Sequence, residues 1–446
     1  SRLLLDVIHG LYGRIFLEAT ARYIEMYSKL FGPYPYGKFA LVENFWETGY
    51  GMPSFTLLGS SVIRFPFILN SSFPHEILHN WWGNGVYVDG AKGNWCEGLT
   101  AYLADYFLKE QQGEGIEHRR LILQKYKNFV KAGVGRDFSV SEFSNRHSGA
   151  TEAVGYGKTA MFFHMLRREA GDKIFFDALR RFYQEYKFKF ASFDDIEKIF
   201  SETSGQNLQW MFEQWIERIG APSLKVRDVI AEKRGGEYAL SAVIEQTQDE
   251  WSYRLKVPVA VYMEGVADPY KIDVDMCGKE YRLKIILPVR PVRLDVDPGF
   301  DVFRVLDFNE TPPAMSQIFG AEKILALLPA NASESIISGY RELAKSWQVD
   351  EIKFDNEISE LPADRAVWLF GWDNKFRSNV GKALSSYDFT DNQDIYIDDV
   401  KLQRDQHSVV IVSRHPSNNE FALAWLATDN ASAIPGLGRK LPHYNR

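Results

Sequence analysis

The segment SSFPHEILHNWWGNG, residues 71–85, sets two histidines four residues apart with a glutamate between them. On a helix, positions i and i+4 share one face, so His75 and His79 can offer both imidazoles to a single ion. Glu76 stands beside them, where a carboxylate can take a proton from an attacking water. The alternative is a chance H-E-x-x-H in an amphipathic helix. Catalytic zinc takes three protein ligands and keeps a fourth position open, so a third ligand is expected nearby. The segment NWCEGLTAYLADY supplies Glu97 at the start of the next apolar-periodic helix, with 17 residues between it and His79. The competing role for Glu97 is that of a capping glutamate behind an Asn94 cap.

Further candidates surround this set. Tyr156 lies in EAVGYGKTAMFFHML, in a glycine-flanked turn just before an apolar helix. A phenol there can donate a hydrogen bond to an oxyanion, although this segment alone reads equally as an aromatic packing at a helix start. Asp105, two helical turns beyond Glu97, can orient a ligand imidazole, as outer carboxylates do; a solvated helix face is its alternative. Trp81 and Trp82 read as core aromatics, Asn80 and Asn84 as structural hydrogen-bonders, and Cys96 as a small buried apolar group.

Taken together, HEILHNWWGNGVYVD…WCEGLTAYL resembles the M1 aminopeptidase family of gluzincin metallopeptidases. Trp81, Gly83-Asn84 and Glu97-Gly98 follow H-E-x-x-H in the family's order, and the likeness covers at least residues 13–222. The resemblance implies one zinc ion per chain held by His75, His79 and Glu97, Glu76 as general base, and a peptide as substrate. Tyr156-Gly157-Lys158-Thr159 is similar to the family's Y-x-K-G segment, which implies Tyr156 as the transition-state donor. The spacing between His79 and Glu97 is one residue shorter than usual in the family. The larger departure is in ETGYGMPSFTLLG. The family carries G-x-M-E-N there, on a strand that pairs with substrate and whose glutamate binds the free α-ammonium. Here Met52 is followed by Pro53 and Ser54. Gly49, Gly51 and Met52 are expected to retain the substrate-binding strand, with the glycines admitting a close backbone, but the carboxylate is gone. Glu43, Glu47 and Glu152 are the candidate substitutes. An endopeptidase, or a hydrolase of N-blocked substrates, is therefore a second reading; a non-catalytic scaffold on the same fold is a third.

The elements that must position these residues fall into three stretches, giving an expected multidomain α+β architecture. Residues 1–222 read as mostly helical, and the resemblance implies that they form a thermolysin-like catalytic domain. RIFLEATARYIEMYSKLFG ends at a Gly-Pro stop, and KFALVENFW and SFTLLGSSVIRFPF are β-rich. Residues 223–308 hold seven short alternating runs, from LKVRDVIAE to VFRVLD, and suggest an antiparallel β-sandwich. NETPPA reads as a linker. Residues 309–446 alternate strand and helix, pairing KILALLP with SESIISGYRELAKSW, AVWLFGW with KFRSNVGKALSSY, and HSVVIVSR with a helical EFALAWLATD, as a small α/β domain of unknown role. Family members carry a β-rich domain ahead of the catalytic one, so the resemblance implies that one precedes Ser1.

A net charge of −7 and the lack of basic, aromatic-interleaved runs argue against nucleic acid as a partner. No apolar run reaches the ~18 residues of a membrane span. Two distant cysteines make no disulfide framework. The likeness is strongest to bacterial members, which leaves cytoplasm, periplasm and a membrane-anchored form open; composition leaves the oligomeric state open too.

Overall fold

The computed structural model describes residues 11–131, 135–249, 251–382, 387–388, 394–397 and 400–443. The chain forms two compact units. One runs to Leu123 and resumes from Asp137 to Val305; the other joins Gln124–Arg136 to Leu306–Arg446. The helical part and the six-stranded β region thus fall within one unit, while a short piece from the middle of the helical part belongs to the other.

In the first unit, helix α1 (Leu11–Phe31) buries Phe16, Ala19, Tyr23, Tyr27 and Phe31, an i, i+3, i+4 stripe. It stops at Gly32, whose φ of 122° no side chain tolerates well. Strands β1 (Ala40–Asn44), β2 (Gly49–Met52) and β3 (Phe55–Gly59) form a sheet in the order β1-β3-β2, with β1 parallel and β2 antiparallel to β3. Pro53 and Ser54 make the two-residue turn between β2 and β3. Ser54 has φ of 70° at the position where a type II turn demands it. Residues beyond β3, read as strand from sequence, instead make two 3₁₀ turns, Val62–Arg64 and Pro66–Asn70, the second opened by its proline. Helices α2 (Ser72–Leu78) and α3 (Trp95–Thr100) follow, and α3 continues through a π-helical stretch, Ala101–Tyr106. A second π stretch, Ala153–Lys158, leads into the helix Thr159–Ala170.

Six strands between Leu224 and Val296 form two three-stranded antiparallel sheets. Alternate residues are buried, as in Leu240, Ala242 and Ile244 or Val257, Val259 and Val261. The seventh expected strand, VFRVLD, is absent; one bridge from Val305 to Ser223 stands in its place.

In the second unit, strands Glu351–Phe354, Ile324–Leu328, Ala366–Phe370, Asn418–Ala427 and Val409–His415 lie side by side in that order. The first four are parallel and the last pairs antiparallel with its neighbour. EFALAWLATD, expected to be a helix, is therefore a strand. Its run from Ala422 to Ala427 is fully buried, and a continuous apolar run covered on both faces carries no period that separates strand from helix. NETPPA is fastened down: Arg414 donates to the carbonyls of Phe308 and Thr311, and Gln124 to that of Pro312. Asn128 donates to Ser316 Oγ at 2.9 Å and Arg136 to the Gly320 carbonyl at 2.6 Å, which ties Gln124–Arg136 into this unit.

Candidate metal centre

Helix α2 is short and buried on nearly every side, with Phe73, Ile77, Leu78, Trp81 and Trp82 fully enclosed in and just beyond it. His75 lies inside the helix and His79 caps it in helical conformation, so the i, i+4 relation holds. The Nε2 atoms of both rings lie 3.5 Å from one oxygen of Glu97. One ligand atom from each of the three residues falls within 4.8 Å of the others. Asn94 caps α3 by accepting from the Cys96 N–H, which leaves the Glu97 side chain free to turn inward to the imidazoles. The approach of α3 to the helix carrying Tyr156 depends on Gly98, since a Cβ there would overlap the Thr159 side chain.

The other ring nitrogens are engaged. His75 Nδ1 lies 3.0 Å from Asp105 Oδ2, and His79 Nδ1 lies 3.1 Å from the Trp82 carbonyl oxygen. Fixing Nδ1 in this way aims each Nε2 at the shared space. On a regular helix Asp105 would sit about 80° round from Glu97. The π stretch has more residues per turn and rotates Asp105 back toward the same face. The Cys96 sulfur, buried, lies 3.4 Å from His79 Nδ1.

Charge is concentrated here. Burial opposes a charged His75 ring, yet the Asp105 and Glu97 carboxylates outweigh it and push its pKa up to about 10. Burial likewise works against the Glu97 anion, and the two imidazoles outweigh it, holding that carboxyl well below the usual range. Glu76 is shifted the other way, upward, chiefly by burial. The Tyr156 hydroxyl is held protonated by burial and then by the neighbouring Glu97 carboxylate. The Tyr156 ring lies nearly parallel to that of His75 at 6.4 Å, so the phenol borders the same space. Lys158, buried in the same π stretch, donates to the carbonyls of Arg218 and Gly220 and anchors it. These contacts can hold a dication in place of the ring protons, with a base and a hydrogen-bond donor beside it.

Strand β2 lies against α2. A Cβ on Gly49 would come 2.7 Å from Glu76 Oε1, and one on Gly51 would come 2.6 Å from His79 Cβ. The glycines thus clear space for the protein's own base and ligand, as well as any substrate backbone. Asn84 donates to the Gly51 carbonyl and Asn80 accepts from the Ser54 N–H, which fastens the strand to the end of α2. Sequence gave no hint of this pairing beyond two asparagines. Of the carboxylates weighed as amine anchors, Glu47 accepts from the Ser61 N–H and hydroxyl and the Val62 N–H, while Glu43 pairs with Arg64 at 3.1 Å. Glu152, on the turn before Tyr156, lies 3.7 Å from Arg146.

Residues 69–215 match the peptidase family M1 domain, a span holding His75, Glu76, His79, Glu97 and Tyr156 but not Gly49–Met52. That match covers about a third of the chain. The chain is similar to mitochondrial aminopeptidase 2 of Saccharomyces cerevisiae, 21% identical over 262 residues that cover 54% of this chain and 28% of that one. It is 26% identical to aminopeptidase N of Lactococcus lactis over 33% of this chain and 18% of that protein. It therefore spans less than a third of the length of these curated relatives. Among solved structures, an M1 zinc metallopeptidase mutant of Deinococcus radiodurans bound to Tyr-Ser-Ala aligns at TM-score 0.39 and 20% identity, covering 48% of this chain and 46% of that one. Legionella pneumophila aminopeptidase A in complex with aspartic acid aligns at 0.48 and 16%, covering 69% and 35%.

Proposed function

We propose that the chain is a zinc-dependent hydrolase of peptide bonds, aminopeptidase-like, with His75, His79 and Glu97 holding one zinc ion. The observation that carries this reading is the convergence of two imidazole nitrogens and one carboxylate oxygen within 4.8 Å, inside an M1 domain. That donor set suits zinc and leaves a position open. When bound, zinc supplies an acidified water and Lewis-acid polarisation of the scissile carbonyl. The chain's own groups do the rest. Glu76, its basicity raised by burial, accepts the proton of the attacking water and passes it to the leaving amine. Tyr156 donates to the developing oxyanion. Asp105 and the Trp82 carbonyl keep the two rings oriented. Strand β2, outermost in its sheet, offers Gly49, Gly51 and Met52 as the backbone along which an extended peptide pairs.

A second reading, cleavage of internal or N-blocked bonds, is favoured by Pro53-Ser54 after Met52, where no carboxylate is available for an α-ammonium. Retention of all three ligands, Glu76 and Tyr156 speaks against a non-catalytic scaffold. The test is zinc analysis of the purified chain with hydrolysis of an aminoacyl anilide, free and N-acetylated, before and after chelation. One zinc per chain and chelator-sensitive cleavage of the free anilide are expected. Cleavage confined to the acetylated form moves the assignment to the second reading, and a chain that retains no zinc sinks both.

A further inference from the structure

The wall of the site beyond Tyr156 carries a cation that the mechanism does not use. Arg146 lies in the irregular segment before the helical turn Gly149–Glu152, and its guanidinium sits 5.6 Å from the centre of the Tyr156 ring. The same ring lies nearly parallel to that of His75 at 6.4 Å, which places Arg146 one ring away from the candidate metal ligands. The side chain is 53% exposed, and its nearest carboxylate, Glu152, stands 3.7 Å off, beyond hydrogen-bond length. Among the described residues Arg146 makes no hydrogen bond, so its five N–H donors remain available in a fork that matches a carboxylate.

The anionic side of the same region is spent. Glu47 is used to hold the Ser61–Val62 turn and Glu43 pairs with Arg64. Strand β2 contributes no acid. Among the described residues the one ion pair of this half-exposed guanidinium is the 3.7 Å contact to Glu152, which a carboxylate of the bound substrate can supplement or replace at hydrogen-bond distance. We infer that Arg146 forms a carboxylate-binding subsite, so that the preferred substrates carry a carboxylate next to the bond cleaved. This rests on the peptidase reading above. An acidic side chain and a C-terminal carboxylate present the same pair of oxygens, and the two are separable by experiment.

The full chain, zinc-loaded and carrying Glu76→Gln so that substrate is held and not turned over, is titrated calorimetrically with three tripeptides, each with a free and with an N-acetylated N-terminus. One has a central glutamate and an amidated C-terminus, one a central glutamine and an amidated C-terminus, and one a central glutamine and a free C-terminus. At least one carboxylate-bearing peptide is expected to bind roughly tenfold tighter than the neutral one, the scale of a charge-assisted bidentate pair. Which of the two does so identifies the source of the carboxylate. Adding Arg146→Gln should erase the advantage, and Arg146→Lys should restore part of it. Equal binding of all three peptides, or an advantage that survives Arg146→Gln, overturns the subsite. Arg146-dependent binding in a chain whose Glu76 form cleaves nothing would keep the subsite and sink the peptidase reading; cleavage without carboxylate preference would do the reverse.

Discussion

The first unit buries histidine beside carboxylate in two places, with opposite outcomes. Around Asp301, His164 Nε2 lies 2.9 Å from the carboxylate, and Arg119 and Arg168 each approach it at 3.1 Å. The other nitrogen of His164 faces the Tyr102 hydroxyl at 3.4 Å. Every charge there is met by the protein itself. Around Glu97, two imidazoles and a carboxylate converge, and among the described residues no arginine or lysine pairs with that carboxylate. The same side chains thus make a closed clasp where guanidinium groups supply the positive charge, and a candidate metal centre where that charge is left for an ion to supply. Buried charges must be paired one way or the other.

This contrast is breakable, and the largest effect should come from Glu97. Glu97→Gln removes the anionic ligand, so both zinc content and turnover should collapse; a variant retaining full zinc by metal analysis would end the comparison. Glu76→Gln comes next. It should lower turnover roughly 10²–10⁴-fold, the usual contribution of a general base, while zinc per chain stays at the wild-type level. Asp105→Asn should weaken zinc about 10–100-fold, as loss of an outer-shell partner does, measured by competition with a chelator; unchanged affinity would mean that the π stretch serves packing alone.

Asp301→Asn should sharpen the contrast from the other side. Zinc content and turnover per folded chain should be unaffected, but stability in denaturant should fall by about 3–5 kcal/mol because Arg119, Arg168 and His164 lose their shared anion. The pH dependence has a fixed sign. Burial lowers the pKa of His164; at Asp301 burial acts upward but is outweighed by the hydrogen bond from His164 and the charges of Arg119 and Arg168, so that pKa is lowered too. The unfolded chain therefore binds more protons than the folded one, and stability rises with pH. The His164 contribution should be lost as pH falls through and below about 6.5, and that of Asp301 below about 3.9. Asp301→Asn should remove the lower arm; an acid-unfolding profile identical to wild type would show that the clasp contributes nothing.

Much of the centre was legible because its core is local. His75 and His79 share a helix face by spacing alone, and Glu97 follows a readable Asn94 cap. By itself Tyr156 reads equally as a packing aromatic, and only the neighbouring residues of the family motif mark it as a donor candidate. Less legible were features that depend on partners distant in sequence. EFALAWLATD became a strand because the sheet covers both of its faces. The stretch after β3 became 3₁₀ turns because Pro66 opens one. Gly49 and Gly51 looked like openings for substrate, yet their first requirement is clearance for Glu76 and His79. Arg146 carried no signal at all, since nothing in its own neighbourhood marks an arginine that will lie over Tyr156.

By itself, the sequence determined which chemistry was possible: two imidazoles at helical spacing, a glutamate beside them, and a third ligand at the start of the next helix. Tertiary structure decided where those groups meet. It turned Asp105 inward through a π stretch, set β2 against α2 through two missing side chains, and kept arginines at Asp301 and away from Glu97. Helical spacing is fixed by backbone hydrogen bonds within a few residues. Convergence and charge pairing depend on distances between segments far apart in the chain, and only packing sets those.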